Sequence, residues 1–235
     1  TNPAYLKIDL FCKGIKIHES CELDKDARPI RRTRAGLGSG LELVIPPDLY
    51  TNAPLEEKFV AATPYTLRKK DGRYEVRRHG EFVTNVELPR RPAFYEKRTS
   101  SGKPMGRIGV MQGTYLAIYP GRVCNFWAET PRVNCKFCST GLNVGAVEAA
   151  DKSVQDVLET VEAARRECGI TYVHFNTGYL GGNELEFLEP FVAEVKRRTR
   201  LMIGVQTTPS PELSRYKKLA KLGANNVSFC FELWD

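Results

Sequence analysis

The chain has 235 residues, 42% hydrophobic and 27% charged, which excludes wholesale disorder and allows one or two packed cores. No run of about 18 uncharged apolar residues occurs, so no membrane span is expected; the first residues lack a basic start with an apolar core, so a cytoplasmic protein is expected. The net charge of +7 sits wholly in residues 1–110, with 21 Lys/Arg against 14 Asp/Glu, whereas residues 111–235 hold 14 of each.

In chain order, residues 4–10 (AYLKIDL) and 14–18 (GIKIH) alternate like half-buried strands. Gly36 to Gly40 reads as a flexible turn before the apolar run LELVI, which Pro46 and Pro47 close. Lys69 to Arg73 reads as a hairpin tip, because Asp71-Gly72 supplies positive φ between strand-like stretches; RYEVRR and EFVTNVEL follow as strands. Pro89 to Gly106 is polar and rich in Pro, Gly and Ser, hence a loop or linker. Residues 1–110 are expected to form a basic, mostly β accessory region on the substrate side. Its charge admits nucleic acid, an anionic membrane surface or acidic small molecules as partners, and equally a solvated face.

From Gly113 the rhythm becomes strand, helix, strand, helix. TYLAIYP (114–120) is a buried-type strand, and Ser153 can cap a helix through Cys168 with apolar residues at Val154, Val157, Leu158, Val161 and Ala164. Gly169 ends it. TYVHFN (171–176) is the next strand, followed by a Gly-rich turn and the helix ELEFLEPFVAEVKRRT, in which Pro190 marks a kink or a new first turn. LMIGVQ (201–206), PELSRYKKLAKLG and NVSFCFEL (226–233) complete the series. Strands alternating with helices imply parallel pairing, and four such units without a doubly wound fingerprint favour part of a β/α barrel. About six strands make an open barrel and about eight a closed one, so residues 111–235 are expected to be its N-terminal part, continuing beyond Asp235.

Seven cysteines, an odd and irregularly spaced set, argue against a disulfide framework. Cys124, Cys135 and Cys138 cluster as C-x10-C-x2-C after the first strand of this half. Three thiolates at this spacing can converge on an iron–sulfur cluster or a zinc ion; structural zinc wants four ligands, whereas three on a four-iron cluster leave one iron open for chemistry. A fourth zinc ligand would have to be Cys168 or His174, both on regular elements far along the chain. His174 otherwise reads as a core histidine, Cys168 and Cys230 as small buried hydrophobes, and Cys12 and Cys21 as a pair able to bridge.

These features together resemble the radical S-adenosylmethionine (radical SAM) superfamily: the three-cysteine loop after the first barrel strand, the aromatic Phe137 before the third cysteine, the Gly-rich segment after the second strand, and Glu232 at the end of the fourth. The resemblance covers about residues 113–235. It departs from the commonest spacing, C-x3-C-x2-C, by its longer first gap, which bears on the subfamily. It implies a [4Fe–4S] cluster on Cys124, Cys135 and Cys138 whose open iron chelates the amino and carboxylate groups of S-adenosylmethionine (SAM). It implies Phe137 beside the adenine and either Thr177-Gly178 or Gly181-Gly182 at the SAM amino group; an ordinary strand–helix turn is the bland account of these glycines. It implies Gln206, Thr207 and Thr208 near the SAM carboxylate or ribose, unless they serve a cap or turn, and Glu232 bonding ribose or substrate. The activity implied is reductive cleavage of SAM to a 5′-deoxyadenosyl radical that abstracts hydrogen from a substrate, with an electron donor such as a flavodoxin or ferredoxin. The basic half suits an anionic substrate. No catalytic residue beyond these is singled out. The competing account is a zinc-stabilised nucleic-acid-binding module using Arg28, Arg31, Arg32, Arg34, Lys69, Lys70, Arg77 and Arg78.

Overall fold

The first of two units, Thr1–Arg91, opens with a helix where alternation predicts a strand. In the computed structural model, which describes residues 2–23, 40–55, 57–131, 133–135, 138 and 140–229, α1 spans Pro3–Lys13. Asn2 Oδ1 accepts the Ala4 N–H at 2.9 Å, Pro3 takes the first turn, and Lys13 pairs with Asp9 at 2.8 Å. Leu6 and Leu10, both buried, satisfy the strand and the helix period alike. Ile8 separates them: a strand would bury it beside them, and it is 57% exposed. Leu10→Ala is therefore expected to cost about 2–5 kcal/mol and Ile8→Ala under about 0.5 kcal/mol in urea melts. Equal losses would indicate a strand.

Past α1, β1 (Lys16–Ile17) pairs in parallel with β4 (Tyr65–Lys70), and β5 (Arg73–Arg78) and β6 (Glu81–Val86) extend the sheet antiparallel, in the order β1-β4-β5-β6. Asp71 and Gly72, at φ +50° and +75°, make the expected β4–β5 turn. A separate hairpin joins β2 (Leu41–Ile45) and β3 (Leu49–Ala53) around Pro46 and Pro47. Leu6, Leu10, Ile15, Leu41, Leu43, Leu67 and Val76 form this unit's core. Of the expected turn from Gly36, only Gly40 lies among the described residues.

In the second unit, Pro92–Asp235, the boundary falls after Arg91 rather than after residue 110. The stretch read as a linker supplies core residues: two 3-10 turns, Ala93–Glu96 and Met105–Arg107, bury Phe94, Tyr95 and Met105. The Pro and Gly signals there are genuine turns, but they flank side chains that the sheet and helices enclose.

A five-stranded sheet follows: β7 (Gly109–Gln112), β8 (Tyr115–Ile118), β9 (Tyr172–Asn176), β10 (Met202–Gln206) and β11 (Asn226–Ser228), each beside its neighbour in chain order. β8 to β11 run parallel, as expected, and β7 adds an antiparallel edge that the sequence reading missed. α2 (Thr140–Asn143) and α3 (Val154–Cys168) connect β8 to β9, α4 (Glu184–Thr199) connects β9 to β10, and α5 (Leu213–Leu222) connects β10 to β11. Pro190 lies inside α4, which continues as one helix. Register places Leu116, Val173 and Ile203 in one row and Ile118, Phe175 and Val205 in the next. Both rows are buried with Val157, Val161, Leu188, Val192 and Val195 of the helices. The alternate row, Ala117, His174 and Gly204, belongs to the opposite face.

The unit is thus a mixed α/β layer, and no barrel closes among the described residues. Among those residues no helix is long and apolar enough to cross a membrane. The rest of the expected fourth strand, with Cys230 and Glu232, falls outside the described residues, as do Phe137, Arg28, Arg31, Arg32 and Arg34.

Candidate functional site

Parallel strands put their loops at the carboxyl edge of the sheet, where α/β proteins gather chemistry. The loops after β8 and β9 meet there through Tyr119. Its buried hydroxyl accepts the Gly178 N–H at 3.1 Å and donates to the Arg122 carbonyl at 3.1 Å. Burial pushes this hydroxyl well above the ordinary tyrosine range; nearby Cys124 and Cys138 push the same way, and the Gly178 N–H opposes them. The Asn125 N–H donates to the Tyr179 carbonyl at 2.8 Å, and Phe126 stacks on Tyr179 at 4.7 Å and 16°. These contacts hold Cys124, just ahead of the 3-10 turn Asn125–Trp127, against Gly178. A Cβ added to Gly178 would lie 2.5 Å from the Cys124 Cβ and 3.1 Å from its Sγ.

Cys135 and Cys138 occupy a tight turn closed by the Cys138 N–H to the Cys135 carbonyl at 3.0 Å. Two N–H groups reach Cys138 Sγ, Trp127 Nε1 and the Thr140 backbone, each at 3.5 Å. The Cys138 thiol in turn donates to Thr140 Oγ1 at 3.2 Å. Trp127 packs on Gly141, where a Cβ would come within 2.3 Å of the ring. Trp127 therefore links the Cys124 turn to the Cys138 turn.

Thiolate sulfur is the donor type that soft metal centres take, and the three thiols are half-exposed on one loop, with N–H groups aimed at Cys138 Sγ. At Cys124 the glycine leaves space that a side chain would take from the sulfur. Among the described residues, no three His, Cys, Asp or Glu side chains form a group able to hold a metal ion.

The two glycine pairs left open by the sequence separate by location. Thr177 and Gly178 end β9: the Thr177 N–H bonds the Gln206 carbonyl at 3.0 Å, its hydroxyl meets Thr207 Oγ1 at 3.3 Å, and Gly178 faces Cys124. Gly181 and Gly182 lie further on at φ +81° and +86°, in a turn organised by Glu184. The buried Glu184 carboxylate accepts the N–H groups of Leu180 and Gly182, the latter at 3.1 Å. Glu184 closes the Gly-rich segment read from the sequence but was given no role there, and Tyr119 and Trp127 were not singled out. An acidic residue opening a helix after two glycines, and a tyrosine ending a buried strand before Pro-Gly, are the signals that mark the first two.

Thr207 is buried and its N–H bonds the Ser228 carbonyl at 3.3 Å, so its backbone serves the β10–β11 edge; Thr208 is half-buried beside it. His174 stands between Tyr115 and Tyr172, with ring centroids 6.2 and 6.0 Å away, and burial lowers its pKa. Cys168, expected buried, is exposed: it ends α3 beyond the helix's buried stretch, which stops at Ala164. Cys12 and Cys21 are unbridged; Cys12 is exposed on α1, and the Cys21 thiol donates to the Leu67 carbonyl at 3.3 Å. Of the basic residues named for nucleic acid, Lys69 pairs with Glu22 at 2.9 Å, Arg77 with Glu75 at 2.7 Å, and Arg78 lies 5.9 Å from the Tyr65 ring.

Comparison of the chain with protein-family models, with curated proteins and with solved structures gave no match.

Proposed function

We propose that residues 92–235 belong to a radical SAM enzyme that cleaves S-adenosylmethionine reductively and abstracts hydrogen from a substrate. The single observation that carries this reading is the docking of the cysteine loop after β8 on the Thr177-Gly178 end of β9. Residues widely separated in sequence, chosen for two halves of one cofactor site, share one sheet edge.

In this reading Cys124, Cys135 and Cys138 hold a [4Fe–4S] cluster, which when bound supplies a low-potential electron and an open iron for SAM. The chain's own groups do the rest. The N–H groups of Trp127 and Thr140 offset thiolate charge at Cys138. Gly178 keeps the space beside Cys124 clear and leaves its carbonyl approachable by an ammonium group. Thr177 and Thr207, joined through their hydroxyls, fix the ends of β9 and β10 in register, so that loops borne by different strands keep their separation. Helices cover one face of the sheet. The other carries Tyr115, Tyr172 and His174, and suits the inside of a barrel that excludes water from a reactive intermediate.

The test is anaerobic reconstitution with iron and sulfide, then incubation with SAM and dithionite. A brown protein that releases 5′-deoxyadenosine and methionine is expected. A colourless protein that takes up zinc and forms neither product would overturn the reading.

A further inference from the structure

The first unit contains a groove of about 910 Å³ at the turn end of the β4-β5-β6 sheet, bounded by the β4–β5 turn and the stretch after β6. That size lies within the usual range of small-molecule sites. Lys69, Arg73, Arg90 and Arg91 line it, against one lining carboxylate among the described residues, Glu87. Lys69 is held by Glu22 at 2.9 Å and lies 5.4 Å from the Tyr74 ring. The guanidinium groups of Arg73 and Arg90 are exposed and have no hydrogen-bond or ion-pair partner among the described residues.

We propose that this groove binds a small ligand carrying two or more phosphoryl groups. A guanidinium presents paired N–H donors that match two phosphate oxygens, and among the described residues Arg73 and Arg90 have theirs uncommitted. The volume exceeds what one phosphate needs, and several cations along the groove suit charge distributed over successive phosphoryl groups. The aromatic content decides between a small ligand and single-stranded nucleic acid. Readers of single strands expose rings on which bases stack. Here the lining ring, Tyr74, is 8% exposed and has an ammonium beside it. The groove therefore offers charge without a stacking platform. The assignment is independent of the cysteine site, and its readout involves no iron.

The experiment titrates the whole chain with tripolyphosphate by calorimetry in dilute buffer and again at raised salt. Saturable binding at one site per chain, weakening with salt, is expected. Arg73→Gln with Arg90→Gln is expected to weaken it by about tenfold or more. The charge-matched pair Lys7→Gln with Lys16→Gln, outside the groove, is expected to change it by less than about twofold. All four positions are exposed, and circular dichroism checks that each variant folds. Absence of saturable binding would overturn the proposal, as would equal losses in the two pairs, which would reduce the effect to net charge. Tighter, arginine-dependent binding of a single-stranded RNA oligomer would overturn it in favour of nucleic acid.

Discussion

On the proposed radical SAM reading, Gly178→Ala is expected to remove iron–sulfur loading and to cut reductive SAM cleavage by about a hundredfold or more, the scale on which small misplacements act at a reacting centre. The added methyl has no room to settle. Its Cβ would fall 2.5 Å from the Cys124 Cβ, 3.1 Å from the Cys124 Sγ and 3.2 Å from the Tyr119 hydroxyl. None of these is the loose end of a flexible side chain. Cys124 is tied to the β9 loop through Asn125 and Tyr179, and the Tyr119 hydroxyl is held at both of its hydrogen bonds. The loops must therefore part, and the sulfur moves with them. Gly182→Ala provides the contrast. No atom lies within 4 Å of its added Cβ, but φ is +86°, so it carries backbone strain of about 1 kcal/mol without displacing a sulfur. Iron per chain after reconstitution and 5′-deoxyadenosine yield distinguish the two variants, and a thermal melt shows whether each is folded. Normal loading of Gly178→Ala would count against Cys124 as a ligand in the proposed site.

The contrast between these glycines also marks how far the sequence could be read. Residue type and spacing marked both pairs, because each follows a buried strand and precedes a helix. Only a contact between positions 124 and 178 assigns one pair to the thiol and the other to the turn around Glu184, and such contacts leave no periodic trace. The parallel strands were legible for a physical reason: Leu116, Ile118, Val173, Phe175, Ile203 and Val205 alternate strictly, and each is buried. α1 was not, since Leu6, Ile8 and Leu10 alternate while Leu6 and Leu10 also fall one helical turn apart, so a short segment fits both periods. Phe94, Tyr95 and Met105 escaped notice because isolated apolar residues among prolines and glycines have no period at all. Tyr119 and Trp127 show the same limit at the site: each acts on a partner brought close by the fold.

Among the residues hidden in that supposed linker are partners of Asp156, and breaking their contact is expected to cost about 2–3 kcal/mol, the scale for a buried, hydrogen-bonded carboxylate whose ammonium partner is partly exposed. Asp156 is 1% exposed at the start of α3. Its Oδ1 accepts the hydroxyls of Thr99 at 2.8 Å and Ser101 at 2.5 Å; its Oδ2 accepts Lys103 Nζ at 2.7 Å and the Ser153 N–H at 2.9 Å. Burial alone would raise this carboxyl, but the bonds from Lys103, Ser101, Ser153 and Thr99 outweigh it and hold the group well below the usual carboxylate range. Asp156→Ala leaves all these donors without their acceptor, and Asp156→Asn turns an amide donor toward a ring of donors, so both are expected to lose most of the stabilisation. The pH dependence follows from the depressed folded-state pKa. At and above neutral pH the contribution is complete; below about pH 4 the unfolded chain takes up the proton first, and the contribution drains away as pH falls toward the folded value. Urea melts from about pH 7 down to about pH 3 should therefore show the wild type losing stability more steeply than Asp156→Asn in the acid limb, the gap between the two curves narrowing without closing. Parallel curves would mean that the carboxylate's charge is not what anchors the 99–103 loop. The effect bears on the site through covalent continuity. That loop leads into the 3-10 turn at Met105–Arg107, where the Arg107 carbonyl accepts the Ala149 N–H at 2.8 Å and its guanidinium bonds the carbonyls of Gly145 and Ala146. Residues 145–149 are the return of the cysteine loop, so a carboxylate remote from the thiols in sequence helps set where that loop ends.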